Sequence, residues 1–215
     1  MNNPSRTTNW LAWGGLGAVI TVISGLFLVN QLKPAAAPLP VYGRIADFAL
    51  TNQNAAPVTL ADLRGKVWLA DIIFTRCPGP CARMTKQMRE LQQALPAASA
   101  AQLVSLTTDA DFDTPPVLQQ YAARFGAAPG NWLFLTGDKR TIANLAIDSL
   151  KLTALEKPAA ERTSAEDLFV HSTIFVLVDK QARLRGVFET GGEDIDWKKS
   201  KADILAAVKL LEREP

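Results

Sequence analysis

Three residues of this chain carry the chemistry for soft-metal binding or thiol exchange: Cys77, Cys81 and the only histidine, His171. Both cysteines lie in "FTRCPGPCARM" (74–84), and no other cysteine exists to pair with either. Three chemistries are open to them. A structural disulfide would close a tiny loop, which removes little entropy from the unfolded chain. A redox dithiol would use Cys77 to attack and Cys81 to resolve a mixed disulfide. A ligand pair would offer two thiolates to a metal. The thiolate is the reactive form in the last two cases. The apolar run "VWLADIIF" ends just before the motif and a helical pattern begins just after it. Sulfur at such a junction faces the positive end of a helix, with Arg76, Arg83 and Lys86 adding charge, so a lowered thiol pKa is expected. Pro78 and Pro80 stiffen the loop, and Gly79 permits a bend between them.

Two thiolates leave most metals short of ligands, and His171 is the natural third candidate. It opens the apolar run "STIFVLVD", although a lone histidine is commonly an ordinary surface or core residue. Two sulfurs and an imidazole suit copper as Cu(I) or Cu(II). Structural zinc normally takes four protein ligands, and no further Cys or His is available. Met84 and Met88 carry thioethers, but with Leu91 and Leu95 they fall at i, i+4, i+7 and i+11, the inner face of a helix.

The elements that must position these residues alternate along the chain. "VWLADIIF" reads as a buried central strand, with Asp71 its odd member. "ARMTKQMRELQQAL" is a helix closed by Pro96. "QLVSLTT" is a strand. "DTPPVLQQYAARFG" is a helix that Asp113 or Thr114 can cap, with Pro115 in its first turn and Gly126 beyond its end. "WLFLTG" is a strand and "DKRTIANLAIDSL" a helix. "LEKPAAERTSAEDL" is a polar loop. "STIFVLVDKQARLRGVFE" is a hairpin turning at Asp179–Ala182, and "DWKKSKADILAAVKLLER" is a closing amphipathic helix. Strands alternating with helices and then a hairpin predict an α/β fold with a mixed sheet flanked by helices.

The 215 residues suit one ordinary domain plus an accessory segment. Hydrophobic content of 48% with 20% charged residues supports a packed core and argues against global disorder. A net charge of +2 leaves no broad basic footprint, so no nucleic-acid partner is expected. Thr7 to Leu32 carry no charge, and Trp10 to Val29 are 20 residues. As a helix these would span about 30 Å, one hydrocarbon core, with Trp10 and Trp13 at an interface. A cleaved signal peptide is the rival reading, but its apolar region is usually only about 7–15 residues. The predicted layout is an N-terminal transmembrane anchor over 1–32, a Pro/Ala linker over 33–42 and a globular domain over 43–215. Gly17, Thr21 and Gly25 could mark a helix-packing face. Arg6, Lys33 and Arg44 leave the orientation undetermined.

With those residues in place, the chain resembles the SCO/SenC family of membrane-anchored, thioredoxin-like, copper-binding assembly factors for cytochrome c oxidase. The likeness rests on "FTRCPGPC", on "DADFDTPPVLQQYAARFG", on "WLFLTG" and on "VHSTIFVLVDKQARL". It implies that Cys77, Cys81 and His171 are copper ligands. It also implies a metallochaperone with a periplasmic domain on a single-pass inner-membrane helix. The client would be the copper-binding subunit of cytochrome c oxidase, with other copper carriers or thiol reductants as further partners. The alternative is a thiol–disulfide oxidoreductase acting on cysteines of an oxidase subunit or another exported protein. Peroxiredoxins also place a threonine ahead of a strand-end cysteine, but with two residues between; Thr75-Arg76-Cys77 has one. Three departures from the SCO/SenC pattern stand out. Ala82 replaces the usual proline, the loop lacks its usual acidic residue, and Val170 stands where many members have aspartate. The last leaves any carboxylate that orients the imidazole to come from elsewhere, such as Glu166 or Asp167.

Overall fold

The computed structural model describes residues 13–25, 38–77, 79–152, 154–156, 158, 160, 169–171, 173–192 and 194–215, the side chains of 154–156 and 169–171 excepted. The chain divides into two compact units, Met1–Pro38 and Leu39–Pro215. In the first, residues 13–25 form helix α1, and the Thr21 hydroxyl donates back to the Gly17 carbonyl at 2.9 Å. Among the described residues no helix is long and apolar enough to cross a membrane. The rest of the expected span, residues 10–12 and 26–29, and the linker through residue 37 lie outside the described residues.

The second unit is built on β4 (Trp68–Ile73), every residue of which is buried. Its side chains alternate between two cores. Trp68, Ala70 and Ile72 face one, and Leu69 and Ile73 the other. Asp71 therefore points toward the second, where it is fully buried. β5 (Gln102–Thr107) and β6 (Trp132–Thr136) extend the sheet in parallel. The hairpin β9 (Ile174–Val178) and β10 (Arg183–Glu189) pairs antiparallel on the other side of β4. β1 (Gly43–Arg44) pairs with β10, and the hairpin β2 (Ala49–Asn52) and β3 (Pro57–Thr59) pairs with β6. The result is an eight-stranded mixed sheet of order β1-β10-β9-β4-β5-β6-β2-β3. Beyond β3 the short helix α2 (Leu60–Leu63) leads into β4.

α3 (Pro80–Ala94) and α4 (Pro115–Arg124) make the parallel crossovers and cover one face with α6 (Trp197–Arg213). Met84, Met88 and Leu91 of α3 lie on its buried face, as their spacing requires. Burying each such side chain is worth about 1.5–3 kcal/mol. The opposite face is covered by Ile45 and Phe48 of the crossing segment and by α5 (Lys139–Ala143). The expected single helix over "DKRTIANLAIDSL" is α-helical only to Ala143 and continues as a π-helix over Asn144–Ser149. The wider turn lets Leu145, Ala146, Ser149 and Leu150 all reach the core. The expected polar loop also differs. β7 (Ala154–Glu156) and β8 (Phe169–His171) form a separate antiparallel ribbon, in which His171 sits opposite Ala154. His171 thus belongs to its own short strand rather than opening β9.

At the end of the sheet where β4 begins, Arg185 ties three parts of the chain together. It is 3% exposed, and its guanidinium donates to Asp179 at 2.7 Å and to Glu214 at 2.6 and 3.0 Å. It also donates to the Leu39 carbonyl at 2.8 Å and the Pro40 carbonyl at 3.1 Å. The Leu39–Pro40 segment, the β9–β10 turn and Glu214 beyond α6 meet on this one cation.

Candidate metal centre

The parallel strands end at one edge of the sheet, and β9, antiparallel to β4, starts there. Both the cysteine loop and the segment that follows His171 emerge at that edge. The Cys77 N–H donates to the Phe74 carbonyl at 3.1 Å, turning the chain out of β4. Pro78 lies outside the described residues, Gly79 precedes the helix and Pro80 opens α3, where its missing N–H costs nothing. Cys77 is half-buried and Cys81 fully buried, and no disulfide joins them. The two sulfurs share a hydrogen bond.

The expected lowering of thiol pKa does not hold for Cys81. The bond to Cys77 pushes its thiol up, and burial, the charge of Cys77 and the charge of Asp71 push the same way. Only a backbone hydrogen bond at Phe74 opposes them. Arg76 spends its charge on Asp109, at 2.5 and 3.1 Å, and lies over the Phe112 ring at 4.1 Å. Its cation is thus already matched by a carboxylate. Any metal that takes both sulfurs must displace the proton they share, so uptake releases protons.

The loop is held by Asp113, which is fully buried. Its carboxylate accepts the Thr75 N–H at 3.1 Å, the Thr75 hydroxyl and the Thr107 hydroxyl. The cap of α4 is Thr114, so Asp113 does not serve the capping role open to it in the sequence. Burial raises the Asp113 pKa, the Thr107 and Thr75 hydrogen bonds lower it, and nearby Asp109 raises it; the net direction is up. A folded-state pKa above the unfolded one means stability present at low pH is lost as pH rises through the folded value. Asp113→Asn removes that cost. Urea unfolding from about pH 4 to about pH 7 should show the variant gaining on the wild type as pH rises. Parallel stability curves would refute this.

Behind the sulfurs, the Thr85 hydroxyl bonds the Cys81 carbonyl at 2.8 Å and the Tyr121 hydroxyl at 2.9 Å. Burial holds the Tyr121 phenol above its ordinary pKa. Thr85 and Tyr121 carried no motif signal and were invisible in the sequence. Met84 and Met88 are fully buried in the same core cluster as Cys81, as their helical spacing requires.

β9 starts at the cysteine edge, and His171 ends β8 three residues before it in the chain. The His171 side chain, Glu166 and Asp167 lie outside the described residues. Among the described residues no group of three His, Cys, Asp or Glu side chains forms a metal cluster. The donors that are described fit copper: two soft sulfurs, one of them partly open to solvent, where the central strand gives way to a helix.

A mixed sheet flanked by helices, with a dithiol between its central strand and the following helix, defines a thioredoxin-like dithiol protein. The SCO1/SenC family model matches residues 41–206, and the chain belongs to that family. The SCO1 protein homolog of Bacillus subtilis (strain 168) is 34% identical over 162 residues, 73% of this chain and 81% of that protein. The structure of BsSco, described as a member of the Sco family of cytochrome c oxidase assembly proteins with a disulfide switch, is similar with a TM-score of 0.68. It shares 30% identity over 83% of this chain and 100% of that one. ScoI of Bradyrhizobium japonicum, solved with copper bound, has a TM-score of 0.59 at 23% identity, covering 79% of this chain and 99% of that one. At that identity the likeness speaks for the fold.

Proposed function

We propose that this chain is a membrane-anchored copper metallochaperone for the copper site of cytochrome c oxidase, with copper as cargo held by Cys77, Cys81 and His171. The observation that carries this is the pair of free cysteines, one half-buried and one buried, at the strand-to-helix edge of a SCO1/SenC chain. Cys77 is the accessible sulfur, through which a client's ligand enters. Cys81 is the buried one, which holds the metal against the domain. Oxidation of the pair to a disulfide, in which an external thiol–disulfide exchange partner takes up the two electrons and two protons, removes both ligands and gates transfer. Residues 1–32 are the anchor, 33–42 the linker and 43–215 the periplasmic domain on an inner-membrane helix. This layout is supported by the uncharged stretch from Thr7 to Leu32. The partners are the copper-binding subunit of the oxidase, other copper carriers and thiol reductants.

The ligand set is tested by His171→Ala. Cu(I) tolerates two thiolates alone, whereas Cu(II) needs the imidazole. The variant should weaken Cu(II) binding more than Cu(I) binding, read by titration of the reduced protein with each ion. Equal loss of both ions would contradict this division of roles.

The exposed-and-buried asymmetry of the sulfurs also suits a second reading, a thiol–disulfide oxidoreductase in which Cys77 attacks and Cys81 resolves. That chemistry needs no histidine. Cells in which both cysteine-to-serine variants fail while His171→Ala is harmless would favour it.

A further inference from the structure

Helix α3 carries Cys81 at its start, and two residues further along it bear on the stem of the His171 ribbon. Gln87 is 6% exposed, and its Nε2 donates to the Thr190 carbonyl at 3.0 Å. The Thr190 N–H and hydroxyl both donate to the Thr173 carbonyl, at 2.9 and 2.7 Å. Thr173 stands two residues after His171. One turn before Gln87, Arg83 occupies the space beside Gly191. A Cβ built there would stand 2.2 Å from the Arg83 guanidinium and 3.0 Å from the Thr173 side chain. The chain therefore passes from α3 through Thr190 and Gly191 to Thr173 with no slack.

The Gln87 amide is a poor choice for stability. Its Oε1 is buried with no hydrogen-bond partner among the described residues. A buried acceptor left unmade costs about 1–3 kcal/mol. Leucine has similar volume and no unpartnered acceptor of its own, although it takes the Nε2 donor away from the Thr190 carbonyl. A half-satisfied amide kept at the core-facing side of α3 needs a purpose other than packing. The purpose available at this place is its other half, the Nε2 bond to Thr190.

We infer that Gln87 is a positioning residue: through Thr190 and Thr173 it fixes the root of the His171 strand relative to the helix that carries Cys81. The inference rests on the proposed ligand set, because it concerns where His171 stands against the two sulfurs. Gly191 serves the same junction, since a Cβ there crowds the Thr173 side chain at 3.0 Å and displaces the Arg83 guanidinium. On this reading the root of the third ligand's strand is tied to α3, the same helix that supplies the second.

The test compares Gln87→Leu, Gly191→Ala and His171→Ala in the full chain, reduced, titrated separately with Cu(I) and Cu(II). Residues that orient a metal ligand typically cost about 10–100-fold in affinity when replaced. Gln87→Leu and Gly191→Ala should each weaken Cu(II) by about tenfold and change its sulfur-to-copper absorption, with Cu(I) affinity nearly kept. Thermal melting of Gln87→Leu should stay close to wild type, because the lost bond is offset by removal of the unpartnered Oε1. Wild-type Cu(II) affinity and spectrum in Gln87→Leu and Gly191→Ala, beside a clear loss in His171→Ala, would overturn this inference alone. If none of the three variants affects Cu(II), the inference and the proposed ligand set fall together. Equal loss of Cu(I) and Cu(II) in Gln87→Leu would mean that Gln87 supports the dithiol helix as a whole, which also overturns it.

Discussion

Replacing Cys81 with serine is expected to reduce copper uptake by the reduced protein from one equivalent per chain to none, with the fold intact. Cys81 is fully buried among Phe74, Met84 and other core residues on the sheet face covered by α3. A serine there keeps a donor for the hydrogen bond to Cys77, so the hydroxyl is not left unpaired. Its burial should cost at most about 1–3 kcal/mol. What it cannot supply is the second soft donor. Oxygen favours hard cations, and one remaining thiolate is a poor site for copper. Cys77→Ser should lose uptake equally at a smaller stability cost, because Cys77 is only half-buried. Metal content after gel filtration, beside circular dichroism, separates loss of metal from loss of fold. A folded Cys81→Ser protein that retains stoichiometric copper would move the site elsewhere.

The second large effect lies at the far end of the sheet and should leave copper untouched. Arg185→Ala removes a cation that is 3% exposed and bonded to Asp179, which is 1% exposed. Breaking a buried pair by removing one partner costs about 3–5 kcal/mol. The lower end applies here. Arg183 still reaches Asp179 at 2.6 Å, and Glu214 is partly open to solvent, so neither carboxylate is wholly abandoned. About 3 kcal/mol in a domain of this size is a fall of roughly 10 °C in melting temperature. The acid limb changes too. Burial pushes the Asp179 carboxyl up, but Arg185 and Arg183 outweigh it and hold the pKa below its ordinary value. A depressed folded pKa gives stability that is present above the unfolded value and lost as pH falls through the folded one. The wild type should therefore weaken steeply below about pH 4, and Arg185→Ala less steeply. A variant that melts with the wild type would show that the cluster merely decorates the terminus.

How much of this was legible in the sequence depended on the range of the interactions. β4 and α3 were readable because a continuous apolar run and a four-residue spacing are local signals. The cysteine edge followed, since a strand that runs into a helix fixes where the loop lies. The α5 region misled because a π turn preserves the composition of an α-helix and changes only which residues share a face. The short ribbon of β7 and β8 went unread because its two three-residue strands, at either end of a polar stretch, are too brief to show alternation. Asp113 looked like a helix cap because its neighbours were the only partners in view. It accepts instead from Thr107, six residues back, and from Thr75, 38 residues away, and nothing local records the second pairing. The Cys81 pKa reversed for the same reason. The helix end and nearby cations are visible in the sequence, whereas the burial, the paired sulfur and the Asp71 charge that outweigh them are tertiary. Arg185 and Gln87 gave no signal at all, because nothing in their types sets them apart from the polar residues beside them.

The most direct measurement is a copper titration of the wild-type protein, once with the dithiol reduced and once with Cys77 and Cys81 joined as a disulfide, with bound metal counted after desalting. One copper per reduced chain and none per oxidised chain is the predicted result. Failure of the reduced chain to take up copper, or equal uptake by both forms, would contradict the proposal that these two sulfurs carry the metal.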